Sequence, residues 1–143
     1  MHGYRKILVL LDLSDGSAQV AAAAQNLAAG TDADIIAVHI VEFLPLEPMG
    51  ETLMPSVQIQ SDLAVRARER LADLVRSLGM QRTRCRVEIG NTKAQILRVA
   101  DEEAADLIVL GSRERHGLAI LFNFTEDTIL HATHCDVLAI RLK

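Results

Sequence analysis

Apolar runs alternate with amphipathic stretches along the whole chain. Ile7 to Leu11 is continuously apolar and ends at a polar turn, Asp12 to Gly16. A short uninterrupted apolar run predicts a strand covered on both faces, the kind found inside parallel sheets. After the turn, Val20, Ala23, Ala24, Leu27 and Ala28 share one helical face. Ser14 or Asp15 is the expected cap of that helix and Gly30 its expected stop. Ile35 to Val41 predicts a second buried strand. Leu63, Ala67, Leu71, Leu74, Val75 and Leu78 predict a second helix, ending at Gly79. Its other face carries Arg66, Arg68, Glu69, Arg70, Asp73 and Arg76 and reads as a solvated surface. The intervening stretch, Glu42 to Ser61, contains Pro45, Pro48, Pro55 and Gly50 and reads as a connection without regular structure.

The pattern continues in the second half. Arg84 to Ile89 alternates polar and apolar residues, as an edge strand does. Asn91 or Thr92 can cap a third helix that carries Ile96, Leu97, Ala100 and Ala104 on one side. Asp106 to Leu110 is a fourth strand, closed by Gly111. An irregular stretch follows to Phe124, then a short helix over Glu126 to Thr133 with Thr125 as its cap. Asp136 to Leu142 is the last strand. Strands alternating with helices predict one α/β domain over residues 1–143: an open, doubly wound parallel sheet of five strands with four helices. Ligands of such sheets bind beyond the carboxyl ends of the strands, where strand order reverses. The turns Asp12 to Gly16 and Gly111 to Gly117 flank one crevice if the first and fourth strands are neighbours. Asp12 can accept hydrogen bonds from an adenine amino group or a ribose hydroxyl there; it can equally tie down its own turn.

Composition narrows the function classes. Half of the residues are apolar, but there are only three Phe, one Tyr and no Trp, so the core is aliphatic. A reader of nucleic acid needs stacking rings and a basic face, and this chain has neither. Its net charge of −4, from 15 basic and 19 acidic residues, supplies no attraction to nucleic acid or to an anionic membrane. Cys85 and Cys135 form no disulfide framework, and no stretch reads as a signal peptide or a membrane span, so a cytoplasmic setting is expected.

Three segments carry a resemblance. Arg5 to Ser17, Ile35 to Glu42 and, most specifically, Glu88 to Leu142 resemble the universal stress protein family, over essentially the whole chain. The resemblance implies a Rossmann-like sheet of the adenine-nucleotide alpha-hydrolase type, in the order 3-2-1-4-5. In nucleotide-binding members the turn after the fourth strand reads roughly Gly-x-x-Gly, then eight or nine residues, then Gly-Ser or Gly-Thr. Glycines there let backbone N–H groups point at phosphates. Here the first glycine is Gly111, but the second position is Glu114 and the later pair is Asn123-Phe124, with Thr125 next. Glu114 brings negative charge where phosphates would lie, and Phe124 brings bulk. Arg113, Arg115, His116, Asn123 and Thr125 act in the other direction. On the adenine side, Asp12, Ile40 and Leu110 match the family's base-contacting positions. The implied reading is a damaged phosphate cradle beside a surviving nucleoside pocket, for which ATP or AMP is the candidate ligand and no resident cofactor is expected.

Two function classes follow. One is a regulatory stress-response homodimer that acts by binding an unidentified protein partner, with weak or no ATP binding. The other is an ATP- or AMP-binding member acting as a nucleotide-dependent switch or slow ATPase. The family typically dimerises through the last strand, which places Val137, Leu138, Ala139, Ile140, Arg141 and Leu142 in the interface. An open strand edge is an independent reason to expect a two-fold partner. His131, His134 and Cys135 lack a fourth ligand, so no metal site is expected. His39, inside an apolar strand, reads as a hydrogen-bonded core histidine, and no nucleophile motif is present.

Overall fold

The computed structural model describes residues 3–42, 53–113, 129 and 132–142. Its strands are β1 (Lys6–Leu10), β2 (Asp34–Glu42), β3 (Arg84–Gly90), β4 (Leu107–Arg113) and β5 (Asp136–Leu142). Three helices are described, α1 (Ser17–Ala28), α2 (Leu53–Ser77) and α3 (Thr92–Glu103). All strands are parallel in one sheet of order β3-β2-β1-β4-β5. The expected fold class and strand order are therefore present, and β1 does neighbour β4, with Val9 opposite Val109. The fourth expected helix, 126–133, falls mostly outside the described residues. Within it Ile129 and Ala132 are helical, and the Thr133 N–H donates to the Ile129 carbonyl at 3.0 Å.

The two-residue side-chain period of a strand builds both cores. Ile7, Val9, Leu11, Ile35, Ala37, Val41 and Val109 face one layer, filled by Val20, Ala21 and Ala24 of α1 and Ala64, Ala67, Leu71 and Val75 of α2. Leu8, Ile36, Val38, Ile40, Ile108 and Leu110 face the other, filled by Ile96, Val99 and Ala100 of α3 and by Ile129. A strand buried on both sides needs apolar residues at successive positions, which is why 7–11, 35–38 and 107–110 are unbroken apolar runs. The far end of the sheet is tied by side chains. Asp106 accepts from the N–H groups of Arg5 (2.8 Å) and Lys6 (3.0 Å), and the Tyr4 hydroxyl donates to Asp136 at 2.8 Å.

Several expected boundaries change. Helix α1 starts at Ser17 after Gly16, with no side-chain cap, because Ser14 and Ser17 both turn to Asp12 instead. Leu27 is 41% exposed, so the buried face of α1 is centred on Val20, Ala21 and Ala24 rather than reaching Leu27. Helix α2 begins at Leu53, inside the stretch expected to lack regular structure. Pro55 sits in its first turn, where the missing N–H would have had no helical partner in any case. Ala104, expected on the buried face of α3, is its left-handed C-cap with φ 54°. Asn91 is the cap at the other end, accepting from the Ala94 N–H at 3.0 Å. Gly90, where β3 turns into α3, has φ 147°, and a Cβ there would lie 2.8 Å from Gln95 Nε2. Finally, β4 does not close at Gly111 but runs on to Arg113, paired with Leu142. The additional pairs with β5 extend the ladder.

The edge strand β3 is joined to α3 by an ion-pair network. Arg86 contacts Glu88 and Glu102 at 3.0 Å and Glu103 at 3.1 Å, while Arg84 reaches Glu103 at 2.6 Å. Arg98 adds contacts to Glu88 and Glu102. Burial alone would raise the Glu88 pKa, but hydrogen bonds from Arg98 and Arg86 outweigh it and hold the carboxyl below its ordinary value. The hydrogen bond from Arg84 leads in doing the same for Glu103. A carboxyl depressed in the folded state contributes stability above its unfolded pKa and loses it as pH falls through the folded one. The wild type should therefore lose stability below about pH 4.5, the ordinary value of both groups, more steeply than a Glu88→Gln, Glu103→Gln variant. Urea unfolding across pH 2–6 measures the two slopes (a pH range set by the usual carboxylate titration); parallel slopes would show that the network adds nothing.

Candidate functional site

The chain leaves β1 through a short, heavily hydrogen-bonded turn. The Leu11 N–H continues the sheet by donating to the Val38 carbonyl at 2.8 Å. The Leu11 carbonyl is then taken by a side chain: His39 Nδ1 lies 2.8 Å away and, facing a carbonyl, must be the donor. This is the hydrogen-bonded histidine expected from the sequence, and it secures the point where β1 ends. Asp12 follows, and its Oδ1 accepts from the Ser14 N–H (2.9 Å), the Ser14 hydroxyl (2.6 Å) and the Ser17 hydroxyl (3.0 Å). The turn-binding role of Asp12 is thus occupied, and the carboxylate is held in one orientation at the carboxyl end of the sheet.

Leu13 then adopts φ 63°, a left-handed conformation that costs a side-chain-bearing residue about 1 kcal/mol. Arg70 of α2 reaches across and donates from Nη2 to the Leu13 carbonyl at 2.8 Å. On the far side of β2, the Thr92 hydroxyl at the start of α3 donates to Glu42 Oε1 at 2.6 Å. These groups line an open cavity of about 860 Å³ over the carboxyl ends of β1 and β2, bounded on one side by Leu63, Arg66, Ala67 and Arg70 of α2. That size falls in the range of small-molecule sites.

The structure brings two of the sequence-derived candidates together in this cavity, Asp12 and Ile40. Leu110 is 3% exposed within the α3-side core, on the strand neighbouring β1. Gly111 lies in β4 opposite Ile140, and its backbone is ordinary strand. A Cβ there would meet Leu142 Cδ1 at 2.9 Å and Val20 Cγ2 at 3.0 Å, so close packing is reason enough for this glycine. Arg113 ends β4, whereas Glu114, Asn123, Phe124 and Thr125 lie outside the described residues. His131 also lies outside them. Among the described residues no group of three His, Cys, Asp or Glu side chains is arranged to hold a metal.

Sequence reasoning missed Glu42, Thr92, Leu63, Arg66 and Arg70 as cavity residues. For the two arginines the signal was present: they stand four apart, on either side of Ala67, which packs against the core. Long side chains beside a buried small residue reach over the edge of the contact rather than straight into solvent. The sequence alone reads both as part of the solvated face of α2.

Comparison with known proteins agrees with this architecture. Residues 3–141 match the universal stress protein family. The chain is 33% identical to universal stress protein A homolog 2 of Coxiella burnetii, covering 100% of this chain and 99% of that protein. Homolog 1 of the same organism is also 33% identical over the same shares. Among solved structures, the universal stress protein UspA from Lactobacillus plantarum superposes with a TM-score of 0.83 at 23% identity, covering 99% of this chain and 100% of that one. A universal stress protein in complex with cAMP superposes with a TM-score of 0.70 at 20% identity, covering 97% and 98%. At those identities the structural matches establish the fold. No helix among the described residues is long and apolar enough to cross a membrane. With its strand order, its family match and curated relatives alike from end to end, the chain belongs to the universal stress protein family.

Proposed function

We propose that the protein is a regulatory stress-response protein of the cytoplasm that acts by binding rather than by turnover, and that its cavity takes an adenine nucleoside or nucleoside monophosphate. The observation that carries this reading is the cavity at the carboxyl ends of β1 and β2, with Asp12 held at its edge and Ile40 in its wall. A fixed carboxylate beside aliphatic walls suits a base or ribose: the ring is covered by Ile40 and Leu63, and an amino or hydroxyl group donates to Asp12. A fold neighbour that carries cAMP lends support by analogy. At the positions where relatives carry small phosphate-cradling residues, this chain has Glu114 and Phe124, which weigh against a triphosphate.

Calorimetric titration with AMP, cAMP and ATP tests the reading. AMP or cAMP is expected to bind more tightly than ATP, with no ATP hydrolysis above the protein-free rate. Micromolar ATP affinity with phosphate release would instead establish the nucleotide-dependent switch or slow ATPase, with Arg113, Asn123 and Thr125 serving the phosphates.

The same proposal includes a two-fold dimer through β5. That strand ends the sheet, so the N–H and C=O groups along its outer edge can pair with a copy of itself. Light scattering at micromolar concentration should give twice the chain mass; a monomer would remove the dimer from the proposal.

A further inference from the structure

The polar side chains that line the cavity are Asp12, His39, Glu42, Arg66, Arg70 and Thr92. Five of them are already committed. Asp12 accepts from Ser14 and Ser17, and His39 donates to the Leu11 carbonyl. Glu42 accepts from Thr92, and Arg70 donates to the Leu13 carbonyl. Arg66 makes no hydrogen bond or ion pair with any described residue. It stands one turn before Arg70 and one turn after Leu63, an apolar side chain left 47% exposed at the same opening. An exposed leucine and an uncommitted guanidinium, adjacent on one helix face at the mouth of a cavity, suit a ligand that is apolar on one side and anionic on the other.

The rest of the cavity limits where that anion can go. The start of α3 would attract it, since the free N–H groups of a helix N-terminus favour negative charge. Glu42 already occupies that place, bonded to Thr92 Oγ1, and would repel a second anion. Asp12 likewise repels an anion at the β1 turn. Arg70 lends its charge to that corner, where one Nη2 N–H on the Leu13 carbonyl holds its guanidinium at the β1 turn and leaves its other N–H groups open.

We propose that Arg66 is the anion-binding residue of this cavity and selects a ligand with a single phosphate, lying against α2 rather than along the segment after β4. This rests on the nucleotide reading given above. The phosphate accepts from the guanidinium, while the base lies against Leu63 and Ile40. One guanidinium balances the single charge of a cyclic phosphate and offsets part of the roughly −1.5 to −2 charge of a monophosphate. It is not enough for a triphosphate held between the carboxylates of Asp12 and Glu42. The residues at the family's usual phosphate positions are altered in this sequence, and Arg66 of α2 offers an alternative donor.

The test compares adenosine with AMP on the wild type and on Arg66→Gln and Arg66→Lys, by calorimetry. Arg66 is exposed, so neither substitution disturbs the core. A charge-assisted contact to phosphate is worth about a tenfold change in affinity. Arg66→Gln should therefore weaken AMP about tenfold and leave adenosine unchanged, while Arg66→Lys keeps part of the AMP affinity. Raising the salt should weaken AMP in the wild type more than in Arg66→Gln. AMP affinity unaltered by Arg66→Gln, or adenosine weakened as much as AMP, overturns the subsite and leaves the nucleotide reading standing. A wild type that binds neither adenosine nor AMP overturns both.

Discussion

Gly111→Ala should destabilise the folded protein by about 1–3 kcal/mol, the usual cost of forcing a methyl group into a filled core. The added Cβ would stand 2.9 Å from Leu142 Cδ1 and 3.0 Å from Val20 Cγ2. Both partners are themselves buried, at 8% and 3% exposure, so neither can simply swing away. Because φ at Gly111 is not positive, the penalty is one of space and not of backbone strain. Adding Val20→Ala should recover part of the loss, since it removes one of the two clashing groups. Denaturant midpoints of the two variants and the wild type decide it. An unchanged midpoint, with a change confined to nucleotide affinity, would return this glycine to a role in ligand binding. The point matters for function. Gly111 is the one position of the family's glycine pattern that this chain keeps, and its retention is accounted for by β4, β5 and α1 without any phosphate.

Ile108→Ala should cost about 2–5 kcal/mol, the range for emptying a large aliphatic side chain from a core that cannot collapse around the gap. Ile108 is fully buried in β4, paired with Leu8 on one side and Val137 on the other. It belongs to the layer that α3 and Ile129 cover. Against a total stability of about 5–15 kcal/mol, such a loss is a large share of the whole. Leu27→Ala is the matched control: that side chain is 41% exposed, and its loss should shift stability by no more than about 0.5 kcal/mol. Urea unfolding of both variants is the measurement. Equal shifts would mean that the layer under α3 is loosely packed.

Most of the carboxyl-end chemistry depends on contacts between elements far apart in sequence. Arg70 meets Leu13, Thr92 meets Glu42, and His39 meets Leu11. None of these pairs has a fixed spacing that a sequence pattern could reveal. The left-handed Leu13 is equally invisible, because leucine seldom adopts that conformation and no glycine marks the place. The start of α2 was hidden for a different reason. Proline content argued for a loop, yet a proline in a first turn loses nothing.

What the sequence determined by itself was the sheet. Unbroken apolar runs require cover on both faces, the alternation in β3 requires an edge, and the helices between them require parallel strands. The resemblance adds Glu114 and Phe124, a charge and a ring at positions where nucleotide-binding members carry small residues, and these can be read without coordinates. Only the tertiary structure decided which side chains share the cavity and which of them makes no hydrogen bond to a described residue. Hydrophobic periodicity is local and repeats along the chain, so it survives in the sequence. Polar commitment is a property of neighbours in space, and Arg66 differs from the other charged residues of α2 only through what surrounds it.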